Sequence, residues 1–219
     1  MSEIYSTEHR TLQNVFDTTR LADRVDELVV RSKLSSDQKA FIESRDMFFL
    51  STVDHRGYPT CSYKGGSPGF IKVVDLQTIV FPSYNGNGMF LSMGNINTNH
   101  KVGMLFIDFE TPHRVRVHGD ATVAQNDPML ADFVGAELLV RVTITETFIN
   151  CPRYIHQYQR VKTSKYAPQS GCDAPPAPQW KRIDALQDAL PANESAVAKE
   201  LGGIITFEEY SAMVIKREG

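Results

Sequence analysis

From Asp46 to about residue 148 the apolar residues come in short runs of strand period, joined by turns too short for a crossover helix and interrupted by one helical stretch. Strands joined that tightly pair antiparallel, and a set of them with one helix inserted closes into a small barrel or sandwich. Residues 47–53 read as a buried strand, Asp54-His55-Arg56-Gly57 as a hairpin-like turn and 59–64 as a second strand that runs into Gly65-Gly66-Ser67-Pro68-Gly69. Strands over 70–74 and 78–81 follow, with Val73-Val74-Asp75-Leu76 as the turn region between them. The continuous apolar run 102–109 reads as a strand buried on both faces, ended by Thr111-Pro112. Residues 114–123 alternate, which sets Val115 and Val117 on one face and Arg114, Arg116 and His118 on the other. A short helix over 127–135 and a last strand over 138–148 complete the set. The expected fold is mainly β with flanking helices: an antiparallel small barrel of seven or so strands.

The flanks have a different texture. Residues 1–34 look helical but polar, and Leu12, Phe16, Leu21, Val25, Leu28 and Val29 give a loose apolar stripe expected to pack on the body as an arm. Ser35 and Gln38 have the spacing of a capping box, which opens a helix through residue 44. Residues 165–180 hold Pro168, Pro175, Pro176 and Pro178 and little periodic pattern, so they read as an extended surface segment crossing to a partner subunit. Two short helical pieces near 180–189 and 193–201 precede a final segment. The chain thus divides into a helical N-terminal arm (1–44), a barrel (45–160), and a proline-rich segment with a C-terminal arm (161–219) that packs on the barrel or on a partner subunit.

Composition removes several function classes. A net charge of −3 and a pI near 6.1 argue against an electrostatic nucleic-acid binder. No apolar run reaches bilayer-spanning length, and the first ten residues lack a signal-peptide pattern. The three cysteines, Cys61, Cys151 and Cys172, are odd in number and far apart, which fits a reducing compartment and neither a disulfide framework nor a zinc site. The reading is a cytoplasmic protein with no metal, no membrane partner and no nucleic acid. Cys151 has no base arranged near it in sequence and reads as a buried structural thiol.

The chemistry-bearing stretch is 76–96, LQTIVFPSYNGNGMFLSMGNI: a strand, then Asn85-Gly86-Asn87-Gly88, then a helix signalled from Met89 by Met89, Phe90, Met93 and Ile96. Such a strand–turn–helix gathers unpaired backbone N–H groups and the positive helix end at one point, which suits a phosphate. Neither common nucleotide fingerprint fits, because no Gly-Lys-Ser/Thr ends the loop and Gly86-Asn87-Gly88 lacks a third glycine at the required offset.

Taken in order, FFLSTVDHRGYPTCSYKGG, TIVFPSYNGNGMFLSMGNI, VGMLFIDF and RVRVHGDATV resemble the pyridoxamine 5′-phosphate oxidase-like family of FMN-binding split barrels over about residues 45–150. NCPRYIHQY at 150–158 is similar to a motif of that family's uncharacterised bacterial branch. The resemblance implies FMN at a homodimer interface, with its phosphate held by Ser62, Tyr63 and Lys64 on one strand and by Ser83, Asn85, Gly86, Asn87 and Gly88 around the turn. It implies that Arg114 faces the flavin ring, where a cation stabilises the reduced flavin. Arg116 and His118 share that face, so one of the three is the ring partner or all three decorate a wet barrel face. Arg153 and Tyr154 are candidates for the substrate side or belong to a surface loop.

The departures bear on substrate. The true vitamin B6 oxidases carry an arginine and a lysine where Ser62 and Ser67 stand here, an Arg-Lys pair where this chain has Asn87-Gly88, and a C-terminal Arg-x-His with no counterpart here. The expectation is an FMN-dependent oxidoreductase of an unidentified small molecule or electron donor, not a pyridoxal phosphate producer, and no catalytic residue is assigned. Two alternatives remain: a flavin carrier or redox sensor without turnover, and a haem-binding split barrel.

Overall fold

The computed structural model describes residues 4–169 and 175–218, which form two compact units divided between residues 162 and 163. Cys172 and part of the proline-rich segment lie outside the described residues.

In the first unit, α1 (Thr7–Val15) and α2 (Thr19–Val29) form a hairpin joined by an Arg10–Asp23 ion pair of 2.7 Å. Neither helix buries a residue, and Leu12, Phe16, Leu21, Val25 and Leu28 are exposed rather than packed on the body. The stripe was legible, but its docking was not. Next, α3 (Ser36–Glu43) opens with the expected capping box, Ser35 Oγ accepting from the Gln38 N–H at 3.1 Å and the Gln38 side chain accepting from the Ser35 N–H.

Seven strands follow: β1 (Met47–Val53), β2 (Pro59–Gly65), β3 (Lys72–Asp75), β4 (Thr78–Tyr84), β5 (Lys101–Asp108), β6 (His113–Ala124) and β7 (Ala136–Ile149). They form one antiparallel sheet in the order β2-β1-β5-β6-β7-β4-β3. The sheet rolls up. Phe48 of β1 lies 5.0 Å from Phe81 of β4, although three strands separate β1 from β4 in the sheet order, and 5.2 Å from Phe106 of β5. These edge-to-face and tilted rings fill the interior with Leu50, Ile79, Val115, Val117 and Val142. The core also takes in Leu34 and Ile42, ahead of the residue 45 at which the sequence reading starts the barrel. Curvature needs a close approach at Gly119, where the β6–β7 register shifts: a Cβ there would lie 2.4 Å from the Thr143 carbonyl oxygen.

Several boundaries differ from the sequence expectation. Residues 73–75 belong to β3, so the turn falls at Leu76-Gln77. β5 buries only Val102, Met104 and Phe106, with the alternate residues half-buried, because one face of a curled sheet looks outward. Between 127 and 135 only a 3₁₀ turn, Leu130–Asp132, forms. It is tied down by Arg141 of β7, whose guanidinium makes a two-pronged contact with Asp127, one prong being Nη2 to Oδ1 at 2.9 Å. After β7, residues 151–160 run back over the β5–β6 turn: the Tyr158 N–H donates to Phe109 O at 3.0 Å and Gln157 Nε2 to Glu110 O at 2.7 Å.

The second unit holds 3₁₀ turns at Gln179–Arg182, Asp184–Leu186 and Ala192–Glu194, then α5 (Val197–Glu200) and α6 (Phe207–Ile215). The helical pieces read from sequence are therefore mostly single 3₁₀ turns. A Lys181–Glu194 ion pair of 2.7 Å and a parallel bridge between Ile183 and Ile205 organise it. Among the described residues no helix is long and apolar enough to cross a membrane.

Candidate anion-binding cavity

The connection from β4 to β5 must carry the chain from one side of the sheet to the other, and α4 (Leu91–Thr98) spans it, packed on β1 and β6. It starts at Leu91, not Met89, and Met89 and Phe90 are exposed outside it while Met93 and Ile96 are buried. Two polar contacts fasten it to the strands. Asn95 Nδ2 donates to Thr52 Oγ1 at 3.0 Å and reaches Thr60 Oγ1 at 3.3 Å, while those two hydroxyls lie 2.7 Å apart. At its start, Ser92 Oγ is 3.0 Å from Ser62 Oγ of β2.

That fastening leaves a cavity of about 220 Å³ between β2, the end of β4 and the start of α4. Its polar wall is Ser62, Lys64, Ser83, Gly86, Asn87, Gly88 and Ser92; its apolar wall includes Met89, Phe90, Leu91 and Met93. The strand period explains why Ser62 and Lys64 arrive together, two apart on one face of β2. Gly88 takes φ +78°, a conformation open to glycine, and the Asn87 side chain accepts from the Met89 N–H at 3.1 Å, so the turn closes on itself. No side chain caps α4, and the N–H groups of its first turn have no intrahelical acceptor. Burial pushes the Lys64 ammonium below the usual lysine range, and among the described residues no carboxylate pairs with it. Burial also raises the Tyr84 phenol at the cavity wall to about 12, so it stays a neutral donor at physiological pH. A lone desolvated cation beside an uncapped helix start is chemistry that fits a phosphate.

The family profile described as pyridoxamine 5′-phosphate oxidase matches residues 34–150, just over half of the 219-residue chain. The chain belongs to this family. The match includes the whole cavity wall. Comparison with curated proteins returned no match. Among solved structures, a pyridoxamine 5′-phosphate oxidase homologue from Lactobacillus delbrueckii is 24% identical, with a TM-score of 0.44, over 54% of this chain and 95% of its own. HupZ from Group A Streptococcus is 18% identical, TM-score 0.44, over 53% and 93%. HutZ of Vibrio cholerae, described as a haem storage protein, is 17% identical, TM-score 0.40, over 53% and 94%. The family profile, rather than these likenesses, places the chain.

Of the residues singled out from sequence, Ser62, Lys64, Ser83, Gly86, Asn87 and Gly88 come together in the cavity. Tyr63 does not, because strand alternation turns it to the opposite face, where it packs edge-on to Phe49 at 6.2 Å. The Asn85 side chain is also outside the lining and donates to Glu137 Oε1 at 2.9 Å. Arg114, likewise outside the lining, donates from Nη2 to Cys151 O at 3.0 Å while its buried Nε has no partner among the described residues. Arg116 lies against the Phe148 ring, and His118 sits 3.3 Å from Glu146 on the outer face. Arg153 lies over the Tyr154 ring, and that ring is exposed. Cys151 is exposed rather than buried, since its carbonyl, not its thiol, is what the fold uses. Sequence reasoning missed Tyr84 and the rim at Met89–Met93 as lining residues. A signal exists at the rim, where three large apolar residues follow the turn in succession, but helical periodicity explains the same residues. No metal-ligating group of three or more side chains gathers among the described residues.

Proposed function

We propose that this chain binds FMN in the cavity and acts as an FMN-dependent oxidoreductase on a small molecule or electron donor, as a homodimer with the cavity at the subunit interface. The observation that carries the reading is Lys64, a desolvated cation beside the uncapped start of α4 with no carboxylate partner among the described residues. Charge there is unfavourable until an anion arrives. Lys64, Ser62, Ser83, the Gly86–Gly88 backbone and the first turn of α4 would hold the phosphate, with Lys64 contributing a point charge rather than bidentate geometry. When bound, the flavin supplies the electron transfer. The chain's own residues bind, orient and exclude water, and the apolar rim at Met89, Phe90 and Leu91 gives a second subunit or the ring system a surface to cover. The C-terminal Arg-x-His of the vitamin B6 oxidases has no counterpart here and Ser67 stands where they carry a lysine, so a pyridoxine phosphate substrate lacks cationic partners and is not the substrate proposed.

The test is direct. Purified protein should show flavin absorption and release FMN on denaturation, and NADH or NADPH should bleach it, with reoxidation by air or an acceptor. A Soret band in place of the flavin spectrum would shift the reading to haem, and a flavin that no donor reduces would leave a carrier. Colourless protein that takes up no added FMN sinks the proposal.

A further inference from the structure

Phe90 breaks two local rules at once. It is the N-cap of α4, a position that favours Ser, Thr, Asp or Asn, and its backbone lies in the left-handed region with φ 47° and ψ 28°. A bulky L-residue adopts that region at a cost, and Gly or Asn would adopt it cheaply. The chain uses both residue types just upstream, at Asn85 to Gly88. Core packing does not explain the choice. Phe90 is 51% exposed, belongs to no core cluster, and stacks on no other ring among the described residues. What it does touch is the cavity, whose apolar wall it forms with Met89 and Leu91, themselves 60% and 56% exposed. Strain held at a cavity rim without a packing return points to a ligand.

We infer that Phe90 is the specificity-determining residue of the cavity: its ring supplies the apolar face against which the planar ring system of a phosphorylated aromatic ligand lies once the phosphate is seated beside Lys64. This rests on the FMN reading and goes beyond it. The cradle alone accepts any phosphomonoester of suitable size, and Phe90 selects those carrying a flat ring. The left-handed backbone sets the direction in which the side chain leaves the rim.

The full-length protein tests this with Phe90→Leu, which keeps bulk without a flat face, Phe90→Tyr, which keeps the face, and Phe90→Gly, which relieves the backbone. FMN affinity is read by flavin fluorescence titration, subunit mass by sedimentation, and stability of the flavin-free protein by thermal melting. The Leu and Gly variants should bind FMN about tenfold more weakly, a loss equivalent to about 1.4 kcal/mol, while Tyr stays within about twofold of the parent. Flavin-free Phe90→Gly should melt at or above Phe90→Leu, because glycine enters the left-handed region without strain. Subunit mass should not change. The inference is overturned if Leu or Gly leaves FMN affinity within about twofold, if Tyr loses as much as Leu, or if affinity falls only together with subunit mass. Failure of the parent protein to bind FMN is a separate result and would overturn the flavin reading instead.

Discussion

Lys64 is held where no counter-ion lies among the described residues, and that makes it separable from an ordinary structural lysine. Burial lowers its pKa in the folded chain, so the protonated form is disfavoured by folding. The sign follows: a lysine depressed in the fold detracts from stability at every pH below its folded pKa, and that penalty disappears only as pH rises above its unfolded value. Lys64→Met removes the penalty at neutral pH while keeping the apolar stem. The flavin-free variant should melt at or above the parent temperature, yet bind FMN about 10- to 100-fold more weakly, the range of a lost charge-assisted contact. Calorimetric melting and fluorescence titration read the two effects independently. A variant that loses stability and keeps affinity would mean that Lys64 serves the barrel rather than a ligand. A parallel argument covers Tyr84, whose phenol at about 12 remains protonated through any assay pH, so no rate or affinity change between pH 6 and 9 should track it.

At the scale of the element, α4 is placed by a small buried network rather than by its own helical tendency. Asn95 ties the helix to Thr52 and Thr60 on β1 and β2. Asn95→Ala should lower stability by about 1–2 kcal/mol, since the two threonine hydroxyls stay bonded to each other and only the bridge to the helix is lost. Chemical denaturation measures it, and FMN affinity should fall with it because the cavity's wall is the start of this helix. Asp127 acts similarly on the segment before β7. Its carboxyl is held below the usual range, chiefly by its hydrogen bond from Arg141. A depressed carboxylate contributes stability that is full above its unfolded value of about 3.9 and is lost as pH falls through its lower folded value. Asp127→Asn should therefore be less stable than the parent at pH 7, and its urea midpoint should drop less between pH 5 and 3. Elements held by period and turn chemistry were legible in sequence: β1 at 47–53, the Ser35–Gln38 capping box, and the alternation of β6 at Val115 and Val117. Those decided by tertiary contact were not. Between 127 and 135 a 3₁₀ turn stands where the sequence signals a helix, with Asp127 bonded across to Arg141 of β7, and α4 starts late because Phe90 turns left-handed.

At the scale of the whole molecule, the cavity was half legible. Lys64, Ser62 and the glycine turn were readable because strand alternation and turn residues leave local marks. Tyr63 lies outside the cavity lining because alternate residues of a strand face opposite ways. The Ser62–Ser92 contact joins residues thirty apart, and no local pattern announces it. What the single chain leaves exposed is informative in its own right. Leu12, Phe16, Leu21, Val25 and Leu28 on the N-terminal hairpin and Met89 and Leu91 beside the cavity mouth lie in the same compact unit and face solvent. Single exposed apolar residues need no explanation, but contiguous sets of them mark surfaces that are covered in use. The homodimer proposed above supplies that cover, and it makes a quantitative demand: sedimentation equilibrium should return twice the 24.6 kDa chain mass at micromolar protein, with one FMN bound per chain. Because the site is proposed to lie at the interface, flavin and assembly must also be linked, since a ligand that binds the dimer better stabilises it by the same factor. Dilution should therefore dissociate flavin-free protein at a higher concentration than FMN-loaded protein. A monomer that binds FMN as tightly as the concentrated sample would remove the interface from the site and leave the cavity of one chain sufficient.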